Sequence, residues 1–378
     1  MQNCIIVNSV TLMEKKRGGN FSVNDNRLGY GSPVSDLVLN RHAIKVIKKM
    51  MTLNLRSLRK LAGLRNIHTT PVSRIDATKV EEVRIPVPWG HIAGKWWGSK
   101  EKQPILAIHG WQDNAGSWDP FTSALPEEFS LLAIDLPGNG LSSHIPPFQN
   151  YYFIDSVPVM RAVKLHFGFD KLHLLGHSGG SASCFLYSAI YPEEVLSYFG
   201  VDYLAYAYKN EAKRVANLGK LIDKKLSLAL RDPNKSKTYT WDEAKNIWVT
   251  ATIGSIGPAS AEILMKRGVH RMSDGTVLFS RDQRLKAGDM FLFNSAQSYK
   301  LVENVKCDVA LVKATKSQLF ESGLKNIPDI LDLLKRSAKS FEFHSIDGNH
   351  HVHMDLPDVI VDLYLKFRQK IEKEALVV

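Results

Sequence analysis

Short, mostly apolar runs recur from residue 104 onward and predict buried strands. These runs occupy residues 104–110, 129–138, 171–178, 195–204, 308–316 and 340–348. Continuous apolar runs of this length are typical of strands covered on both faces of a parallel sheet. Ahead of them, EVRIPVPWG and HIAGKWWGS flank Trp89-Gly90 with alternating apolar residues, which predicts a strand pair. The pattern therefore predicts an eight-stranded, mostly parallel sheet.

Segments with helical periodicity separate the apolar runs. The clearest of them are residues 154–167, 181–191, 327–338 and 357–374. Strands that alternate with helices predict an α/β fold, in which right-handed crossovers place helices on both faces of the sheet.

The alternation stops once, over residues 205–304, which have helical character that is clearest in NEAKRVANLGKLIDKKLSLAL and TWDEAKNIWVTA. An insertion of this size at the carboxyl edge of a sheet usually forms a cap over the site. We therefore predict a core of residues 80–204 and 305–375 and a cap of residues 205–304. Several aromatic residues would either line a cavity under the cap or form the core of the insertion: Tyr203, Tyr206, Tyr208, Trp241, Trp248, Phe291 and Phe293.

The net charge of +11 over 378 residues belongs almost entirely to the N-terminal segment. Residues 1–75 hold 13 Lys and Arg against 3 Asp and Glu, whereas the remaining residues hold 36 against 35. The nearly neutral body argues against a basic groove for nucleic acid. No apolar run reaches the ~18 residues of a membrane span. The three cysteines are widely separated, which fits a reducing compartment.

Two segments are predicted within this basic region. Residues 1–50 are polar, lack a sustained period and are predicted to be a disordered extension. Residues 51–75 are basic and free of acids, and leucines and basic residues fall on opposite faces of a helix there. This composition is typical of a mitochondrial transit peptide, with translation starting at Met50 or Met51. The alternative is a basic tail on a cytoplasmic protein.

The candidate nucleophile is Ser178, in the sequence Gly-His-Ser-Gly-Gly between a predicted strand and a predicted helix. Glycines on both sides of a serine permit the strained turn that raises its hydroxyl above a sheet. Backbone N–H groups of Gly179 and Trp111 are then predicted to bind an oxyanion. The alternative for the pentapeptide is an ordinary glycine-rich turn.

Three histidines follow the last predicted strand, in Asp347-Gly-Asn-His-His-Val-His353. A catalytic triad needs a histidine on a loop at this point of the chain. The spacing of His350 and His353 also suggests a metal, but two imidazoles need further ligands and Asp355 is expected to cap the final helix. We therefore predict no metal site.

These motifs, in their order along the chain, resemble the α/β-hydrolases. The similar stretches are H-G-W, D-L-P-G-N-G-L-S, G-H-S-G-G and G-N-H-H-V-H-M-D-L-P, within residues 80–375. The segment Gly275–Arg284 further resembles the serine hydrolase-like proteins of animals. The resemblance implies the α/β-hydrolase fold and makes His350 the base. Relatives that open epoxides or displace halides carry aspartate at the strained turn that bears the nucleophile, called the elbow. Ser178 at this position argues against both activities.

The triad acid departs from the common pattern of the family. Most relatives carry it after the seventh strand, where this chain has Ser317. Some relatives carry it after strand six instead, and the resemblance then implies Asp202, 24 residues beyond Ser178. The alternative for Asp202 is a turn residue at a strand end. Asp135, Asp308 and Glu321 are the other acids considered.

Together these features predict a serine hydrolase that cleaves a carboxylic ester or related acyl bond of a small molecule. Ser178, His350 and Asp202 would act through an acyl-enzyme, with no cofactor. Two alternatives stay open: a non-catalytic binding protein or receptor of the same fold, and a cofactor-free C–C hydrolase.

Overall fold

The computed structural model describes residues 73–204, 211–232, 236–252, 254–289, 293–322 and 327–376. The predicted disordered extension, residues 1–50, lies outside these ranges. Residues 51–72 of the predicted transit peptide also lie outside these ranges. The same holds for Tyr206, Tyr208 and Phe291.

The strands agree closely with the apolar runs of the sequence. They are β1 Val80–Val87, β2 Gly90–Trp97, β3 Ile105–Ile108, β4 Leu131–Ile134, β5 Leu172–His177, β6 Val195–Val201, β7 Val269–Arg271, β8 Val277–Phe279, β9 Asp308–Ala314 and β10 Ser340–Ile346. Eight of them form one sheet in the order β1-β2-β4-β3-β5-β6-β9-β10. The β1–β2 and β2–β4 pairs are antiparallel and all others are parallel. The predicted eight-stranded, mostly parallel sheet is confirmed.

Helices connect the strands of this sheet. They are α1 Asp119–Ala124, α2 Ser156–Phe167, α3 Gly179–Ile190, α4 Glu211–Ala229, α5 Trp241–Ala251, α6 Pro258–Gly268, α7 Ser295–Glu303, α8 Leu319–Ser322, α9 Ile327–Ser337, α10 Val352–Asp355 and α11 Pro357–Ala375. None of the helices in the described ranges is long and apolar enough to cross a bilayer.

Both faces of the sheet are covered. On one face, α2, α3, α7 and α9 build a core around Leu174 and Leu311, and on the other α1 and α11 pack around Leu175 and Val312. Successive strand residues point to opposite faces, so each uninterrupted apolar run supplies both cores at once. The predicted helices on both faces are thereby confirmed.

The segment between β6 and β9 contains an inserted layer. Helices α5 and α6 and the β7–β8 hairpin enclose their own small core, which includes Trp248, Leu264 and Phe279. Helix α7 differs, because Val302 packs into the core on the sheet. Within the region assigned to the cap, residues 205–304, the helix nearest β9 therefore packs with the sheet.

A buried ion pair ties this layer to the core. Arg267, from α6, donates to Asp135 at 2.6 Å and to Glu82 at 2.5 Å. The Asn114 side-chain amide also donates to the Leu264 carbonyl at 2.9 Å. Asp135 follows β4 and Asn114 follows β3, so the inserted layer lies over the carboxyl edge of the sheet.

Candidate active site

Ser178 occupies a strained turn between β5 and α3. Its φ of 52° and ψ of −122° lie in a region that residues with a Cβ rarely adopt. Close backbone packing enforces the turn. A Cβ on Gly176 would lie 2.5 Å from the Gly180 carbonyl oxygen, and one on Gly180 would collide with the Ile108 carbonyl. The two glycines therefore allow α3 to begin directly above the end of β3.

The three predicted triad side chains lie in contact. His350 Nε2 is 2.8 Å from Ser178 Oγ, and His350 Nδ1 is 2.7 Å from Asp202 Oδ2. Asp202 is 0% exposed and His350 is 8% exposed. Because an ionised carboxylate only accepts, Nδ1 carries the hydrogen and the Nε2 lone pair faces the serine hydroxyl.

The backbone of the adjacent strand β9 holds Asp202. The residue follows β6 with a φ of 53°, and its N–H donates to the Val312 carbonyl at 2.7 Å. Its Oδ1 accepts the Ala314 N–H at 2.8 Å. With one oxygen fixed in this way, the other points at His350. Asp202 thus lies where the chain bends at a strand end, as the alternative interpretation expected. The same bend directs its carboxylate at His350.

The other acids considered have different partners. Asp135 accepts from the N–H groups of Ala115 and Leu141 and pairs with Arg267. Asp308 accepts from Ser340 at 2.6 Å, at the opposite end of β9. Glu321 pairs with Lys313. Asp202 is thus the acid that contacts His350 in the described structure.

The His109 side chain forms hydrogen bonds to the backbone. Its Nε2 accepts the Leu136 N–H at 2.9 Å, and its Nδ1 donates to the Gly110 carbonyl at 2.7 Å. Burial lowers the pKa of this imidazole, with Asp135 acting in the opposite sense. Trp111 follows on the same loop. Trp111 and Gly179 both line the cavity beside the elbow. Gly179 lies in the first turn of α3, where backbone N–H groups have no partner within the helix.

The cavity has a volume of about 310 Å³. Its aromatic and apolar walls include Trp89, Trp111, Tyr151, Tyr152, Phe153 and Leu285. Three of these six walls, Tyr151, Tyr152 and Phe153, come from the segment before α2, and the described inserted aromatics considered in the sequence are not among the lining residues. Trp241 and Trp248 instead pack in the core of the inserted layer. The run Tyr151-Tyr152-Phe153, placed just before a helix, was the sequence signal for the missed wall.

A buried histidine cluster adjoins the triad. The His177 and His350 ring centroids are 4.7 Å apart, and His177 Nε2 lies 2.9 Å from the His350 carbonyl oxygen. Burial lowers the pKa values of His177 and His353 well below the usual range for histidine, which favours the neutral form of both rings. Sequence reasoning missed His177, although it immediately precedes the candidate nucleophile.

Comparison with known proteins identifies the fold and the family. The model of the alpha/beta hydrolase fold family matches residues 103–222. A protein of Drosophila melanogaster named as a probable serine hydrolase is 34% identical over 299 residues, which cover 79% of this chain and 90% of that protein. The serine hydrolase-like protein of Danio rerio is 31% identical, covering 81% of this chain and 93% of the relative.

Solved structures share the fold. A hypothetical protein of Pseudomonas aeruginosa PAO1 superposes with a TM-score of 0.68 at 26% identity, covering 77% of this chain and all of that one. A thioesterase domain from the curacin biosynthetic pathway superposes with a TM-score of 0.64 at 22% identity, covering 76% of this chain and 99% of that one. With the elbow in place and relatives matched along most of their length, the chain belongs to the serine hydrolase-like family of the α/β-hydrolase superfamily.

Proposed function

We propose that this protein is a serine hydrolase that cleaves a carboxylic ester or a related acyl bond. The observation that carries the proposal is the continuous hydrogen-bonded line from Asp202 through His350 to Ser178. In this orientation the imidazole accepts the serine proton, and the buried carboxylate stabilises the resulting imidazolium.

The reaction runs in two halves. Ser178 Oγ bonds to the acyl carbon while its proton passes to His350 Nε2, and the carbonyl oxygen becomes an oxyanion. The N–H groups of Trp111 and Gly179 stabilise that charge. Collapse of the intermediate breaks the bond to the leaving alcohol, which takes the proton from His350. Water, deprotonated by His350, then attacks the acyl-enzyme and releases the acid and free Ser178.

The cavity supports an uncharged, apolar acyl group as substrate. Among the described lining residues, the acidic and basic side chains are His109 and Asp155. Burial lowers the pKa of His109 and raises that of Asp155, so both shifts favour the neutral forms. A volume of about 310 Å³ is at the small end of ligand pockets. Short or medium aliphatic esters, or small aromatic esters, match these walls.

A fluorophosphonate probe tests the proposal, because it labels only an activated serine. We expect stoichiometric labelling of the protein and none of the Ser178→Ala variant. Ser188→Ala is the matched control, since Ser188 is also a buried serine on α3 and its hydroxyl donates to the Cys184 carbonyl of the same helix. Failure of the unaltered protein to label would favour the non-catalytic binding protein.

A panel of p-nitrophenyl esters of increasing acyl length then tests the substrate class. We expect Ser178→Ala to lose about 10⁶ in turnover while its circular dichroism spectrum stays unchanged. Labelling without turnover of any ester would favour the C–C hydrolase.

We also propose that residues 51–75 direct the protein to mitochondria. The support is their acid-free, basic and amphipathic composition. A C-terminally tagged protein should be found in the mitochondrial fraction, and replacing Arg56, Arg59 and Lys60 with glutamate should return it to the cytosol. A tagged protein found only in the cytosol contradicts the proposal.

A further inference from the structure

A second group of buried polar side chains lies next to the His350 ring. It consists of Asp113 from the turn after β3, His177 at the end of β5, and His351 from the loop after β10. One carboxylate oxygen and one nitrogen from each ring all lie within 4.8 Å of one another. His177 is 0% exposed, and Asp113 and His351 are each 5% exposed. Three potential ligands from separate segments thus converge on one buried point.

The His177 tautomer leaves a lone pair directed at a carboxylate. Its Nε2 lies 2.9 Å from the His350 carbonyl oxygen, and because a carbonyl only accepts, Nε2 carries the hydrogen. The other nitrogen, Nδ1, is 3.7 Å from Asp113 Oδ2, which is too far for a direct hydrogen bond. Neither atom has a hydrogen-bond partner among the described residues. Leaving buried polar atoms in this state is unfavourable.

His351 repeats the arrangement from the other side. Its Nδ1 lies 2.6 Å from Ser255 Oγ, a residue of the inserted layer. Its Nε2 lies 3.3 Å from Asp113 Oδ2, within ion-pair distance. Each imidazole is therefore held by an oxygen on its outer nitrogen and directs its inner nitrogen toward the carboxylate. Histidines that ligate metals in proteins are oriented in this way by a hydrogen bond on the other nitrogen.

We propose that Asp113, His177 and His351 bind a zinc ion. Zinc accepts imidazole nitrogen and carboxylate oxygen at about 2.0–2.2 Å, so two ligands at tetrahedral angles lie about 3.3–3.6 Å apart. The separations of 3.3 and 3.7 Å from Asp113 to the two rings are close to that spacing. Nitrogen donors exclude calcium and magnesium, which prefer oxygen.

The proposed ion replaces no member of the triad, although His177 and His351 are the chain neighbours of Ser178 and His350. The ion joins the turn after β3, the end of β5 and the loop after β10, and His177 holds the backbone carbonyl of His350. The metal thus fixes the loop that carries the base.

Metal content is the direct test, and it does not depend on any hydrolytic activity. The full chain is produced in medium containing added Zn²⁺, so that the ion can enter during folding, and is then desalted. We expect about one zinc per chain by atomic spectroscopy. Asp113→Asn and His351→Gln should retain at least tenfold less. Unaltered protein that retains no more zinc than these variants would overturn the site.

His353→Gln is the matched control. His353 is also buried, and its ring centroid lies 4.0 Å from that of His177, but it is not one of the three converging ligands. This variant should keep its zinc, and an equal loss would show that the ligands are assigned wrongly. In case a ligand variant does not fold, the unaltered chain is also produced with Co²⁺. Strong visible absorption of a tetrahedral ion supports the site, and its absence overturns it.

Discussion

Asp202 contacts His350 through one carboxylate oxygen while its other oxygen accepts the backbone N–H of Ala314. The acid therefore belongs to strand β6 by sequence but is fixed by strand β9, its neighbour in the sheet. The backbone of this neighbouring strand thus positions the Asp202 carboxylate.

The first prediction concerns this contact. Asp202→Asn should lower ester turnover at least a hundredfold and up to about 10⁴, because the amide no longer fixes the reactive imidazole tautomer. Asp308→Asn and Glu321→Gln, whose carboxylates contact other partners, should change turnover little. Steady-state kinetics on a p-nitrophenyl ester measures all three variants. Comparable rates for Asp202→Asn and Asp308→Asn would remove Asp202 from the mechanism.

The second prediction concerns the base. His350→Ala should be as damaging as Ser178→Ala, and the double variant no worse than either, because the two residues act as one unit. His353→Ala should retain more activity, since that ring packs between Trp118 and His177 without contacting the serine in the described structure. Turnover and probe labelling are measured together. If His353→Ala lost as much activity as His350→Ala, the base would be assigned wrongly.

The third prediction concerns the attachment of the inserted layer. Arg267→Leu should reduce the free energy of unfolding by about 3 kcal/mol, because it leaves the fully buried Asp135 without its cation. Lys300→Leu breaks an exposed pair with Glu303 and should cost no more than about 0.5 kcal/mol. Urea unfolding compares the two variants. Equal costs would show that the buried pair does not stabilise this layer.

The fourth prediction concerns acid stability. Burial, assisted by Arg368, lowers the pKa of His173 to about 3, from 6.5 in the unfolded chain. Between these values the unfolded chain binds a proton that the folded chain does not, so stability is lost as pH falls below 6.5. His173→Gln should reduce this pH dependence by roughly 1 kcal/mol per pH unit. Urea unfolding between about pH 7 and pH 5 tests it, and identical slopes would contradict it.

The sequence predicted the sheet and the elbow because both depend on local patterns. A strand covered on both faces must be apolar throughout, and a serine at positive φ between crowded strand ends needs the glycines at 176 and 180. The β7–β8 hairpin was missed although Asp274-Gly275 is a strong turn signal, since helical character dominated that region.

Contacts between distant segments were not predictable in this way. Asp113, His177 and His351 are separated along the chain, and each resembles an ordinary loop or strand residue when taken alone. Asp202 was reached only through resemblance, because its role depends on a backbone bond from Ala314 in a different strand. The walls of the cavity likewise depend on how the segment before α2 folds over the sheet.

The close approach of Gly180 to the Ile108 carbonyl also has a consequence for engineering. It packs the backbone that carries the Gly179 amide tightly against the strand that leads to Trp111. We therefore expect the spacing of the two proposed oxyanion-binding N–H groups to be insensitive to side-chain changes elsewhere. The cavity wall formed by residues 151–153 does not take part in this contact between Gly180 and Ile108. In laboratory evolution toward new esters, we expect productive changes to accumulate in the wall, while the elbow stays invariant.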